Sequence, residues 1–223
     1  MARSPKASKN ERTWKRTMNT KPGIECEREH DFALVLSGIT ELTPEVQDAL
    51  FEAGCDDATI SVRAGRVYLT FSRNNRSLKD AILSAIQDVK SARVGADVLR
   101  VDVCNLVTQA DIARKIGRSR QLVHQYIAGI RGPGTFPAPA CNITDGVPLW
   151  YWCEVAYWLR QNDMISHDAA TEAQGVALIN AVLEMRYHRK LDPELSEEIL
   201  RSLADEPPSA NAADGVRTLS PDP

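Results

Sequence analysis

The feature that most constrains this chain is an apolar period that switches repeatedly between two residues and 3.6 across residues 32–103. Phe32-Ala-Leu-Val-Leu-Ser-Gly-Ile39 is an apolar run of strand length. Thr43-Pro44-Glu45 then supplies an N-cap, a proline at the first helical position and an early acid, so a helix starts there. Val46, Leu50 and Phe51 give that helix one apolar face, and Gly54 suits its C-terminal cap. Ile60 and Val62, then Val67, Leu69 and Phe71, alternate with polar residues on either side of Ala64-Gly65, which predicts a hairpin. Ser77 caps a second helix in which Leu78, Ile82, Ala85, Ile86 and Val89 recur at helical spacing. Val98 to Val103 closes the segment as a strand.

The order β-α-β-β-α-β over residues 30–104 resembles the ferredoxin-like pattern, in which two helices cover one face of a four-stranded antiparallel sheet. Such a sheet hosts many unrelated functions, so its own residues must be asked what they can do. An RNA-binding version needs exposed aromatics on the central strands. Tyr68 and Phe71 are too few and differ in strand parity. Asp56-Asp57 reads as a solvated turn rather than a catalytic acid pair. The domain reads as an accessory or dimerisation module.

Composition bounds the rest. The chain has 223 residues, 43% hydrophobic and 26% charged, enough for one or two domains and unlike collagen, wholly disordered chains or disulfide scaffolds. No apolar run approaches the ~18 residues of a membrane span, and the first residues have no signal-peptide core. The expectation is a soluble cytoplasmic protein with no membrane partner. The net charge of −3 hides a gradient. Residues 1–23 carry seven Lys/Arg against Glu11, whereas residues 191–223 carry eight acids against Arg201 and Arg217. Residues 1–29 therefore read as a basic flexible arm suited to a polyanion, and 205–223 as an acidic disordered tail. Between them, residues 164–204 read as C-terminal helices. Ala169, Ala173, Val176, Ala177, Asn180, Leu183 and Tyr187 form one stripe, and Asp192-Pro193 starts a helix through Leu195, Ile199 and Leu203.

The five cysteines (Cys26, Cys55, Cys104, Cys141, Cys153) are odd in number, widely spaced and without a Cys-x-x-Cys pair or a neighbouring His at ligand spacing. They are expected to be reduced and mostly packed, with no metal and no cofactor. No nucleophile, base and orienting group stand at catalytic spacing, so the chain is not expected to be an enzyme.

Residues 108–128 carry the function. Ile112, Ala113 and Ile116 supply the inner face of one helix, with Ala113 small enough for a close crossing. Gly117 tolerates the positive φ of a turn, and Ser119 is an N-cap for a second helix over 119–128. Val123, Tyr126 and Ile127 return to the core. Arg118, Ser119, Arg120, Gln121, His124 and Gln125 then remain outside. Their chemistry suits major-groove base edges: Arg pairs with guanine, Gln with adenine, and Ser or His reaches bases or phosphates. The segment resembles a helix-turn-helix, whose second helix enters the groove.

Downstream, Phe136-Pro-Ala-Pro139 leads into Ala140 to Ile143, a turn at Thr144-Asp145-Gly146, and Val147 to Trp150. Asp-Gly between two short apolar segments reads as a hairpin. Tyr151 to Leu159 follows with the helical spacing of Val155, Trp158 and Leu159. Together, residues 106–162 resemble the winged helix-turn-helix of MerR-type regulators and phage excisionases, on Phe136, Pro137, Pro139, Trp150, Val155, Trp158 and Leu159. Phe136, Val155 and Trp158 are expected in a small core. Cys153 stands where a Ser or Asp cap is usual in such helices.

The expectation is thus an α+β chain, a ferredoxin-like domain followed by a winged helix over 105–163 and C-terminal helices. The resemblance implies sequence-specific binding of double-stranded DNA by a transcriptional regulator, as a homodimer. Thr108, Lys115, Arg131 and, in the wing, Asn142 and Thr144 are the expected backbone contacts. The alternative is an adaptor subunit whose winged helix docks protein, which the absence of Lys or Arg from the wing favours.

Overall fold

A computed structural model describes residues 27–141 and 146–204. Residues 1–26 of the expected basic arm, with Cys26, the acidic tail, Asn142 and Thr144 lie outside them, whereas Arg28 and Glu29, expected in that arm, belong to the first strand. The fold is mixed α+β. By contacts the chain divides into two compact units, Met1–Leu183 and Glu184–Pro223.

In the first unit, strands β1 (Arg28–Ser37), β2 (Ala58–Arg63), β3 (Arg66–Asn75) and β4 (Asp97–Val101) form one antiparallel sheet in the order β2-β3-β1-β4. Leu34 faces both Leu69 on β3 and Val101 on β4, while Ile60 faces Leu69 from β2. The hairpin turns at Ala64 and Gly65, both at positive φ, the two-residue geometry that matches strand twist. Helix α1 (Pro44–Leu50) starts on Thr43, whose hydroxyl accepts from the Val46 N–H. Helix α2 (Leu78–Ser91) starts on Ser77, which accepts from the Asp80 N–H and donates to its carboxylate at 2.7 Å. Leu34, Leu36, Val67, Leu69 and Phe71 from the sheet meet Ile82, Ala85, Ile86 and Val89 of α2 in one core. Tyr68 is half-buried and alternates with the buried Val67 and Leu69.

Several expectations need correction. The first strand begins at Arg28, not Phe32, because the β1 ladder with β3 continues through the polar residues Arg28 to Asp31. The last strand ends at Val101, beyond which Val103 bonds back to Val101. Phe51 is exposed although it adjoins the buried Leu50, and the helix closes just beyond it where Gly54 takes φ 102°. Asp57 is no solvated turn residue. Arg73 is buried, and its guanidinium takes Asp57 in two bonds (2.7 and 2.8 Å), Asp88 at 2.6 Å, Ser84 at 3.1 Å and the Gly54 carbonyl at 2.6 Å. Hydrogen bonds to Asp57 raise the Arg73 pKa despite burial. Of the described cysteines, all free, only Cys55 is buried; burial beside Asp88 pushes its thiol up to about 11. Cys104 is exposed, and Cys141 and Cys153 are half-buried.

Five further α-helices follow. They are α3 (Gln109–Lys115), α4 (Arg120–Ile127), α5 (Trp152–Gln161), α6 (His167–Leu191) and α7 (Pro193–Ala204). Short strands β5 (Leu106–Val107) and β6 (Trp150–Tyr151) pair antiparallel, and Leu149 also bridges Cys141. Val107, Ile112, Ala113, Val123, Trp150, Val155, Trp158 and Leu159 make a second core. Helix α6 touches both cores: Ala170 and Ala173 join the second, Val176 and Leu183 the first. Asn180, expected in an apolar stripe, instead serves the sheet edge. Its Oδ1 accepts from the Val101 N–H at 2.7 Å, and its Nδ2 donates to the carbonyls of Val101 and Val103. That pairs backbone groups β4 would otherwise leave open.

In the second unit, Asp192 caps α7 by accepting from the Leu195 N–H, and Arg189 pairs with Glu197 at 3.1 Å. Leu191, Leu195, Ile199 and Leu203 are exposed there. Among the described residues no helix is long and apolar enough to cross a membrane, and no group of three or more His, Cys, Asp or Glu could hold a metal ion.

Candidate nucleic-acid interface

Local bonds fix the angle between α3 and α4. Thr108 caps α3 reciprocally with Asp111: its hydroxyl accepts from the Asp111 N–H, and the Asp111 carboxylate accepts from the Thr108 N–H at 3.0 Å and hydroxyl at 2.7 Å. The Thr108 hydroxyl holds the Asp111 carboxyl below its ordinary range. Arg114 also pairs with Asp111. At the other end Gly117 adopts φ 64°, letting the Arg118 N–H reach the Ala113 carbonyl at 2.9 Å and the Gly117 N–H reach Arg114. This glycine-dependent closure ends α3 and delivers Ser119 as cap of α4, accepting from the Leu122 N–H at 3.2 Å. Gln109 ties the two helices by donating to the Arg120 carbonyl at 2.9 Å.

Val123 is fully buried beneath α4, with Tyr126 and Ile127 packed beside it. Arg118, Ser119, Arg120 and Gln121 are exposed in succession where α4 begins, and His124 is exposed one turn further on. Among the described residues no carboxylate lies within ion-pair distance of Arg118 or Arg120. Gln125 is half-buried, and its carbonyl accepts from Ile130 and Arg131 where α4 ends. Arg131 is exposed on the following loop.

That loop packs on aromatics. The Gly134 carbonyl accepts from the Trp158 indole at 3.0 Å, and the Pro137 carbonyl from the Trp150 indole at 3.1 Å. Phe136 meets Trp158 edge-on at 4.9 Å and Trp150 at 6.5 Å. Gly132, at φ 89°, runs so close to Tyr126 that a Cβ there would sit 3.0 Å from the ring. The expected small core of Phe136, Val155 and Trp158 is present.

Two residues read as backbone contacts have other engagements. The Thr108 hydroxyl is committed to Asp111. Lys115 is half-buried, its ammonium 4.9 Å from the Trp152 ring centroid, and burial lowers its pKa. It lines a cavity of about 480 Å³ with Trp152, Cys104, Arg28 and Glu172. Burial raises the Glu172 carboxyl although Arg28 donates to it at 2.6 Å.

Sequence reasoning missed Asn105. Its Oδ1 accepts from the Cys153 N–H at 3.0 Å and its carbonyl from the Trp152 N–H, so it caps α5 where Cys153 offers no local cap. A side chain 48 residues upstream leaves no local signal. In comparisons with known proteins, the chain matches no family model, no curated protein and no solved structure.

Proposed function

We propose that this chain is a sequence-specific double-stranded DNA-binding protein, a cytoplasmic transcriptional regulator acting as a homodimer and not an enzyme, that reads the major groove with α4. The observation that carries the reading is the exposed run Arg118, Ser119, Arg120, Gln121 and His124 on a short capped helix anchored through Val123. Donors that pair bidentately with guanine and adenine edges stand in the first turn, where such helices contact bases. The β5–β6 pair and the Cys141–Leu149 bridge support a winged helix over 105–163 of the MerR and excisionase kind. The strand order β2-β3-β1-β4 with two intervening helices supports a ferredoxin-like domain over 30–104. Arg131, Asn142 and Thr144 complete the set as phosphate contacts, while Thr108 and Lys115 act mainly by holding α3.

The adaptor reading has one observation in its favour: Leu106 and Tyr151 face each other across β5 and β6 and are both exposed. Gel shifts on random genomic fragments, followed by sequencing of the retained ones, separate the two. The DNA reading requires an enriched motif. Arg120→Ala or Gln121→Ala should then weaken binding to it by about 1–3 kcal/mol and relax preference at one base pair. Unaltered affinity and preference in both variants would remove α4 from the groove.

A further inference from the structure

We propose that the cavity between β1, α3 and α6 binds a small organic monocarboxylate, its acid group at Lys115 and its apolar body on walls that the two cores supply. The cavity, of about 480 Å³, falls in the size range of small-molecule sites, which combine apolar walls with a few convergent polar groups. Phe32, Ile82, Val101 and Val176 come to it from the core beneath the sheet, and Trp152 and Ala173 from the second core. A molecule seated there touches both cores at once.

The charges that line the cavity divide by depth. Glu29, Asp31, Arg63 and Asp102 are exposed and stand at its rim. Arg28, His30, Lys115 and Glu172 are buried or half-buried and stand inside it. Burial lowers the His30 pKa, which leaves that ring neutral near pH 7. The interior therefore holds Arg28 and Lys115 against Glu172 alone, a surplus of one positive charge. Arg28 takes up the Glu172 carboxylate at 2.6 Å, so the surplus falls at Lys115, over the Trp152 ring. Asp111, one turn back on α3, does not line the cavity and is bonded to Thr108 and Arg114. In a space of low dielectric such a surplus favours an anion. A phosphate group, with close to two negative charges, overshoots it. One carboxylate matches it, and the apolar walls suit an organic body.

The site does not rest on the DNA reading, so it is tested on the full chain without DNA. Octanoate and indole-3-acetate are the probes, with octanamide and indole-3-acetamide as their uncharged counterparts. Ligand-observed NMR should show saturable binding of the acids with dissociation constants below about 1 mM. The amides should bind at least about tenfold more weakly, the usual worth of a hydrogen bond to a charged group. Lys115→Met keeps the stem, removes the ammonium and should bring acid and amide to equal affinity, a change that a merely structural lysine would not produce. Ala177→Phe places a ring in the cavity without altering a charge and should abolish binding of both acids at unaltered helicity. Location is read at Cys104, which is exposed and lines the cavity. Saturating indole-3-acetate should slow its alkylation by iodoacetamide and leave Cys141, which does not line the cavity, at its own rate. No saturable binding of either acid up to about 5 mM, equal affinity for acid and amide in the parent chain, or an unaltered acid preference in Lys115→Met would each overturn the inference. Undiminished binding by Ala177→Phe, or binding that leaves Cys104 alkylation unaltered, would overturn it as well.

Discussion

The sheet region and the helix-turn-helix region use arginine in opposite ways. In the sheet region Arg73 is buried and five of its donor contacts are to Asp57, Asp88, Ser84 and the Gly54 carbonyl. Arg73 itself stands on β3, and these partners come from α2 and the turn after α1, so one side chain fastens three pieces of the fold. On α4, Arg118 and Arg120 stand in solvent with no ion pair among the described residues, and the helix is held instead by Val123 and the Ser119 cap. The contrast shows where the chain has surplus bonding capacity. A guanidinium whose donors are all taken is scaffold; one whose donors face water is available to a partner that offers carboxylate, phosphate or base acceptors.

Breaking the buried cluster should have the largest effect. Arg73→Met keeps the apolar stem but leaves Asp57 and Asp88 facing each other without a cation. Loss of one partner of a buried pair costs about 3–5 kcal/mol, and because both carboxylates retain some water we expect about 3. Urea unfolding measures it. A midpoint within error of the parent would mean the cluster is a surface ion pair in all but position. Below its own unfolding range the variant should retain whatever DNA selectivity the parent shows, since α4 is untouched.

How much of this was legible in the sequence follows bond range. The caps at Thr43, Ser77 and Ser119 and the turn at Gly117 are bonds between neighbours, and residue type plus spacing is enough to find them. The aromatic core of Phe136 and Trp158 followed from a motif resemblance. What stayed hidden is long-range and polar. Arg73 meets Asp57 and Asp88 from other elements, Asn180 bonds Val101 from 79 residues away, and Asn105 caps α5 from 48. None of these pairings is signalled by residue type or local spacing, because the partners lie far apart in the chain. Phe51 failed in the other direction: it is apolar and adjoins the buried Leu50, yet it turns to solvent in the last turn before Gly54 closes the helix.

A smaller effect tests whether the helix-turn-helix depends on its own local bonds. Asp111 has its folded pKa lowered, first by the Thr108 hydroxyl and then by the Thr108 N–H. The folded state therefore binds fewer protons than the unfolded one between the lowered value and the ordinary range near 4. The stabilisation is present above that range and is lost as pH falls through it. Thr108→Val should cost about 1 kcal/mol at pH 7 and flatten the acid side of the stability curve, because the bond that protonation destroys is already gone. Thermal unfolding at neutral pH and near pH 3 measures both. Equal slopes in variant and parent would show that the cap contributes nothing to acid sensitivity.

The smallest expected effect is the sharpest counterpart to Arg73. Arg118→Ala and Arg120→Ala remove the same guanidinium group, yet neither side chain holds a carboxylate among the described residues or lies in a core. Substitutions at such positions move stability by no more than about 0.5 kcal/mol, and Ala is a better helix former than Arg. The urea midpoint should therefore stay within error for both, with Arg120→Ala at or slightly above the parent because only that residue is inside α4. Gln109 does not alter this, since it bonds the Arg120 backbone carbonyl, which alanine also supplies. A loss of 2 kcal/mol or more at either position would mean that its guanidinium braces the fold as Arg73 does, and the argument that α4 keeps its donors free for DNA would fail with it.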